Sequence, residues 1–389
     1  MVKDLNQDIE KIITRGVSAI YPNPDNLREA LKSDRKLKIY NGIDPTGKLH
    51  IGHMVVLRKL RQFQDLGHEV IVLIGDFTAK IGDPTDKMAA RKQLTAEEVE
   101  HNAENYKELV GKILDTNKAN LKFLHNEEWT NKLKPVDMLE LASHFTVQQL
   151  IERDMFQERI NAGREIYLHE FLYPIFQAYD AVTMDVDMQI GGNDQTFNML
   201  AGRTLMKKLR NKEKFVLAIK LLTDGSGEKM GKTEGNIICL DDSPENIYGK
   251  VMAFPDEMIK IGFELLTDKN LDEINSNPRD AKAELAYEIV RQLYSETGAT
   301  KAQEDFNKRF RNKELPENIE VKNVKSGQLL VEIMVLTELA PSKTEARRLI
   351  EQGAVKINGG KITDVDYVYQ LFGENIIQIG KLRAAKLRS

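Results

Sequence analysis

The 389-residue chain predicts an α/β protein: a parallel sheet covered by helices, then a helical segment, then a small α+β unit. Three observations carry that prediction. Short apolar runs alternate with stretches of helical periodicity in the first third of the chain, the same alternation resumes between residues 184 and 219, and a capped helix with a hairpin pattern lies near the end.

Taken in order, Leu37-Lys-Ile39-Tyr40 reads as a buried strand closed by the turn residues Asn41-Gly42 and Asp44-Pro45-Thr46-Gly47. From His53 to Leu66 the residues Val56, Leu57, Leu60, Phe63 and Leu66 recur at helical spacing, and Gly67 supplies the stop. Val70 to Ile74 is a second strand. Thr95 with Glu98 forms a capping box for a helix through about Leu114, and Leu121 to Leu124 is a third strand. This β-α-β-α-β order is the pattern of a Rossmann-like parallel sheet. A helical insertion over about 135–182 precedes a strand from Met184 to Ile190, a helix from Asp194 to Leu209 and a last strand from Phe215 to Ile219. A loop rich in Gly and Lys follows, Asp224 to Thr233. Ser243-Pro244 starts a helical stretch to about residue 320, with proline at the first helical position. Near Ser326 a third unit begins: Ser342 and Glu345 read as a capping box, Gly353 ends the helix, and Ala354 to Ile362 reads as a hairpin. The expected division is 1–235 for the sheet domain, 236–322 for the helical domain and 323–389 for the small domain.

Hydrophobic residues at 41% and charged residues at 30% suit a globular chain with a large core. No apolar run approaches the ~18 residues that cross a bilayer, so no membrane partner is expected. The first residues mix acids with bases and resemble neither a secretory signal nor a transit peptide, which implies a cytoplasmic address. Cys239 is the single cysteine, which excludes an internal disulfide and argues against a structural zinc; no protein-held metal is expected. The net charge of -4 does not advertise a nucleic-acid binder, although the run from Lys381 to Arg388 is locally basic.

Two basic elements far apart in the chain belong together. His50-Ile-Gly-His53 stands at a strand-to-helix junction, and Lys229-Met-Gly-Lys-Thr233 stands in the loop after the last strand. Ligands of a parallel sheet bind beyond the carboxyl ends of its strands, so a helix start and a later strand-following loop converge on one crevice. The helix end offers N–H donors and a positive dipole, Gly52 permits close approach, and the histidines can donate to phosphate oxygens. Mobile lysines that close on a departing pyrophosphate stabilise the transition state selectively. Both elements point to a nucleotide whose α-phosphate is attacked.

His50-Ile-Gly-His53 matches the signature of class I aminoacyl-tRNA synthetases, and Lys229-Met-Gly-Lys-Thr233 resembles their lysine-rich second signature. Tyr40-Asn-Gly-Ile-Asp44-Pro-Thr46, Ile81-Gly-Asp83-Pro, Gln177-Ala-Tyr-Asp180 and Gln189-Ile-Gly-Gly-Asn-Asp194-Gln195 narrow the resemblance to the bacterial-type tyrosyl-tRNA synthetase family, over about residues 35–240. The resemblance implies that Tyr40 and Asp180 face the phenol hydroxyl of tyrosine, that Asp83, Tyr173 and Gln177 surround the ammonium, and that Gln195 lies near the carboxyl group. It assigns Gly192 and Asp194 to the ribose of ATP, Asp44, Thr46, His50, Gly52 and His53 to the nucleotide and its phosphates, and Lys229, Met230, Lys232 and Thr233 to the pyrophosphate end. Lys87 and Arg91 fall where the family has a flexible phosphate-contacting pair. Mg2+ is expected on the ATP phosphates rather than in a protein cage. Gly231 and Thr233 stand where the general class signature has serines, without loss of a charge.

The last unit resembles the small RNA-binding domain shared with certain ribosomal proteins, of the α-L type, with Lys343, Arg347 and Arg348 as phosphate contacts. The resemblance further implies tRNA(Tyr) as partner, a helical domain that contributes to tRNA binding, and a homodimer. A tryptophanyl relative shares this architecture, but Tyr40 with Asp180 and the long C-terminal unit argue against it. A synthetase-like RNA-binding protein without catalysis is the remaining alternative, against which stand the intact signature histidines and lysines.

Overall fold

The computed structural model describes residues 5–83, 95–223, 237–311, 321–370, 375–380 and 383–388. By its internal contacts the chain divides into two compact units, residues 1–296 and 297–389.

Unit one is built on a six-stranded sheet: β1 (Val17–Tyr21), β2 (Lys38–Ile43), β3 (Glu69–Ile74), β4 (Leu121–His125), β5 (Met188–Gly192) and β6 (Phe215–Ile219). Their spatial order is β1-β6-β5-β2-β3-β4; β2 to β6 run parallel, and β1 is antiparallel on the edge beside β6. The chain grows outward from β2 through β3 to β4, then returns to lay β5 and β6 on the other side. The seam between β2 and β5 is therefore the topological switch point, where sheets of this kind bind ligands.

Near-continuous apolar strands such as Val70 to Ile74 are what burial on both faces requires. On one face Tyr40, Ile71 and Leu73 pack with Ile175, Ala178 and Ala181 of the helix Leu172–Met184 and with Ala201 and Leu205 of the helix Thr196–Arg210. The helix Ile51–Asp65 packs on β2, β3 and β5, with Leu57, Leu60 and Phe63 fully buried. Among the described residues no helix is long and apolar enough to cross a membrane.

Several boundaries differ from the sequence reading. The edge strand β1 was not expected, because Val17-Ser-Ala-Ile-Tyr21 is only half buried and lacks an apolar run. Helix continues to Met184, ended by Asp185 in the left-handed region, so the expected strand from Met184 starts instead at Met188. The Thr95 and Glu98 capping box forms as expected, but its helix ends at Glu104 and a second runs from Tyr106 to Gly111. The insertion is a series of short helices, Pro135–Ser143, Val147–Ile151 and Asp154–Asn161, before the long Leu172 helix.

Unit two carries a five-stranded sheet of β7 (Val321–Asn323), β8 (Val355–Ile357), β9 (Gly360–Ile362), β10 (Asn375–Ile379) and β11 (Arg383–Arg388), ordered β7-β11-β10-β8-β9. Leu330, Ile333, Ile350, Tyr369, Ile377 and Leu387 form its core. The hairpin of β8 and β9 was legible in the sequence. Arg383 to Arg388 is not a solvated tail: it pairs with both β10 and β7 and buries Ala385 and Leu387 between its cations.

Candidate active site

Three neighbouring parallel strands end at one edge of the first sheet. Asp44 follows β2, Gly75 and Asp76 follow β3, and the turn Asn193–Gln195 follows β5. The Leu172–Met184 helix brings Tyr173, Gln177 and Asp180 to this edge. Their spacing of four and three residues puts the three side chains on one helical face.

At the deep end lie Tyr40 and Asp180. Tyr40 is fully buried in β2, and its hydroxyl is left without a well-formed hydrogen bond. The Asp180 carboxyl group, 2% exposed, accepts from Trp129 Nε1 at 2.8 Å and from Asn126 Nδ2 at 3.3 Å. Burial pushes its pKa up to about 8 against those two donors, with the Asp44 and Asp76 carboxylates adding to the rise. Burial and the Asp180 charge likewise raise the Tyr40 hydroxyl well above its usual range. Asn126, by donating to both Asp180 and Thr78, ties this end to the next.

That next group gathers acids. Asp44 accepts from Thr78 Oγ1 at 2.7 Å and from Tyr173 Oη at 2.8 Å, while Gln195 Nε2 donates to Asp83 at 2.6 Å. The guanidinium of Arg153, 5% exposed between the rings of Phe156 and Phe197, stands 3.8 Å from Asp83. Burial raises Asp44 to about 7, and the neighbouring Asp83 and Asp76 carboxylates push the same way. Gln177 presents a buried carbonyl oxygen without a partner. Such a cluster, with two carboxylates, a phenol and an unmet amide oxygen, suits a cation with several N–H donors. Gly75 backs it: a Cβ there would overlap Asp44 Oδ1.

At the open end, His50 caps the Ile51–Asp65 helix. Gly52 N–H donates to His50 Nδ1 at 3.1 Å, and His50 N–H donates to His53 Nδ1 at 3.2 Å, with the rings 4.1 Å apart. A nitrogen that accepts an N–H carries no proton, so each neutral ring keeps its proton on Nε2. A Cβ on Gly52 would press on the His50 ring. One on Gly192 would meet Asp194 Oδ1 and Leu221, so a side chain there would push on both. Thr46 is exposed, its N–H bonded to Asp44 O at 2.8 Å. Beyond β6 the chain is described to Thr223 and again from Ile237, where it pairs with the histidine segment: Ile51 N–H donates to Ile238 O, Leu240 N–H donates to Leu49 O, and His50 bridges Cys239. Lys229, Met230, Lys232 and Thr233, like Lys87 and Arg91, lie outside the described residues.

In unit two, Ser342 caps the helix Lys343–Glu351 by accepting from Glu345 N–H. Of the three basic residues expected there, Lys343 pairs with Glu332 at 2.8 Å and Arg348 with Glu345 at 2.7 Å; all three are exposed.

Sequence reasoning missed Asn126, Trp129, Thr78, Arg153 and Gly75. None sits in a signature, and each reaches the site only because distant segments meet; Trp129, the only tryptophan in the chain, was the one available signal.

Comparison with known proteins identifies the family. The profile of tRNA synthetases class I (W and Y) matches residues 32–311, and that of the tyrosine–tRNA ligase SYY-like C-terminal domain matches residues 305–375. The tyrosine–tRNA ligase of Moorella thermoacetica is 41% identical, covering 97% of this chain and 95% of that one. That of Thermotoga maritima is 42% identical, with 95% of each covered. Among solved structures, a C-terminally truncated mitochondrial tyrosyl-tRNA synthetase of Aspergillus nidulans superposes with a TM-score of 0.66 at 23% identity, over 78% of this chain and 94% of that one. The tyrosyl-tRNA synthetase of Archaeoglobus fulgidus complexed with L-tyrosine gives 0.61 at 22%, over 77% and 100%; at such identities the likeness is one of fold. Relatives at this identity over nearly the whole length settle the choice between the two amino acids that the broader profile leaves open: the chain belongs to the tyrosine–tRNA ligase family of class I tRNA synthetases.

Proposed function

We propose that L-tyrosine lies along the carboxyl ends of β2, β3 and β5, with its phenol between Tyr40 and Asp180 and its ammonium against Asp83, Tyr173, Gln177 and Asp44. The observation that carries this is Asp180, a buried carboxyl group held by two side-chain donors opposite a buried hydroxyl that lacks a good partner. A buried end that offers one hydroxyl and one carboxyl group fits a phenol and leaves unpaired groups beside a phenylalanine ring. Asp44, which the sequence motif alone would send to the phosphates, goes instead to the ammonium: it shares Tyr173 with that group, and a carboxylate beside phosphates repels them.

Gln195 steers the substrate carboxylate toward ATP, whose ribose rests on Gly192 and Asp194 and whose phosphates lie at the start of the Ile51 helix beside Thr46 and Gly52. A carboxylate oxygen of tyrosine attacks the α-phosphorus, an O–P bond forms, and the bond to pyrophosphate breaks. No general base is needed, because the nucleophile is already an anion; positioning and charge stabilisation supply the rate. His50 and His53, protonated at Nε2, donate to phosphate oxygens, and Lys229, Lys232 and Thr233 with Met230, joined by Lys87 and Arg91, receive the leaving pyrophosphate. Mg2+, arriving on the ATP phosphates, would neutralise part of their charge. In the second step a ribose hydroxyl of the terminal adenosine of tRNA(Tyr) attacks the tyrosyl carbonyl carbon and AMP leaves. The C-terminal unit holds the tRNA through phosphate contacts from Lys343, Arg347 and Arg348; the exposed ion pairs of Lys343 and Arg348 are weak enough to exchange for phosphate.

A homodimer is supported by the insertion, which exposes Val136, Leu139, Val147 and Leu168, the last at 80%. A cytoplasmic address follows from where charged tRNA is consumed. The test is exchange of labelled pyrophosphate into ATP without tRNA: tyrosine alone should drive it, and exchange driven equally by tryptophan or phenylalanine would sink the pocket assignment.

A further inference from the structure

Beneath the phenol end of the pocket the core holds a lysine. Lys214, the residue before β6, is wholly buried, and its Nζ donates to Gln189 Oε1 at 2.6 Å and to the Met199 carbonyl at 3.0 Å. It also stands 5.8 Å from the centroid of the Tyr40 ring. Burial pushes its pKa well down, so the ammonium costs the core something that an apolar side chain of the same length would spare. The chain makes room for it: a Cβ on Gly202 would come within 2.8 Å of Nζ.

Gln189 lies in β5 directly opposite Tyr40 in β2, so the two side chains stand side by side on one face of the sheet. Both contacts of Lys214 are to oxygens. Because Lys214 takes Gln189 Oε1, what the amide has left to offer the neighbouring Tyr40 hydroxyl, which lacks a well-formed hydrogen bond, is its NH2 donor. A Tyr40 oxygen approached by a donor keeps its own proton for another acceptor.

We propose that Lys214 is a positioning residue for substrate selection: it locks the Gln189 amide so that Tyr40 accepts from Gln189 and donates to the substrate phenol, whose own proton goes to Asp180. The direction of every hydrogen bond at the phenol is thus set from the core, by a residue that never touches tyrosine. The inference rests on the pocket reading above and deepens it.

Tyrosine- and phenylalanine-dependent pyrophosphate exchange would be measured for the parent chain, Lys214→Met, Gln189→Leu and the double variant. Each single change should cut the preference for tyrosine over phenylalanine about tenfold, the worth of one buried hydrogen bond, with the KM for ATP as in the parent. The double variant should lose no more than the worse single one, because both break the same chain of contacts. Multiplying losses, an unchanged preference, or an equal fall for both amino acids would overturn the proposal. If Lys214→Met no longer melts cooperatively, Gln189→Glu decides: it keeps an acceptor for Lys214 but removes the donor to Tyr40, so a retained preference overturns the idea. A parent chain without any preference for tyrosine would instead refute the pocket reading itself.

Discussion

The buried end of the site at Tyr40 and Asp180 and the basic helix of the C-terminal unit place charged groups in opposite ways. Asp180 is held by Asn126 and Trp129, some fifty positions earlier in the chain, and is buried at 2% exposure. Arg348 is held by Glu345, one turn away, in full view of solvent. A group buried and fixed by distant partners has its geometry chosen before the ligand arrives, so it can discriminate. One paired locally in water can leave its partner at little cost, so it can bind a polyanion without reading its details.

The largest effect should come from breaking the buried end. Asp180→Ala should lower kcat/KM for tyrosine activation by about a hundredfold, the scale of a lost hydrogen bond to a charged group, while phenylalanine activation changes far less. Parallel losses for both amino acids would show that Asp180 only supports the fold. Gly75→Ala should weaken tyrosine binding about tenfold, since the new methyl displaces Asp44 from Thr78 and Tyr173; titration calorimetry reads it, and unchanged affinity would remove Asp44 from the ammonium site.

The pH dependence sharpens the contrast. In the empty site Asp180 and Asp44 titrate near 8 and 7, so folding takes up protons there and these groups favour the folded state most at low pH, a contribution lost as pH rises through those values. A bound ammonium and phenol donor favour the ionised acids. Tyrosine should therefore bind more tightly from about pH 6 to about pH 8, releasing protons as it does. Asp180→Asn should flatten the upper part of that rise, and calorimetry in buffers of differing ionisation enthalpy would show whether protons leave. The smallest effect belongs to the exposed end: removing the charges of Lys343, Arg347 and Arg348 together should leave pyrophosphate exchange and the melting temperature as they were. The slope of log tRNA affinity against log salt should fall by up to about three, and an unaltered slope would place the phosphate contacts elsewhere.

The parallel sheet, the capped helix behind His50 and the order of the motifs were legible because periodicity and turn chemistry are local. Those features bring Asp44 and Gln195 to strand ends and His50 to a helix start whatever the rest of the chain does. The antiparallel edge strand β1 escaped because an edge is half exposed and needs no continuous apolar run. The terminal strand β11 was hidden by its alternation of short or apolar residues with charge, which resembles a solvated tail until β10 pairs with it.

By itself, then, the sequence determined the chemistry: which side chains carry charge, that a histidine pair stands at a helix start after a strand, and that a helix presents Tyr173, Gln177 and Asp180 together. The tertiary structure alone decided which neighbours those groups meet. Trp129 and Asn126 grip Asp180, Arg153 stands behind Asp83, Tyr173 claims Asp44, and Lys214 turns Gln189, because loops of very different length close on one cleft. Hydrogen bonds and burial act over a few ångströms of space, and nothing in the spacing of residues along a chain records which distant segments will come that near.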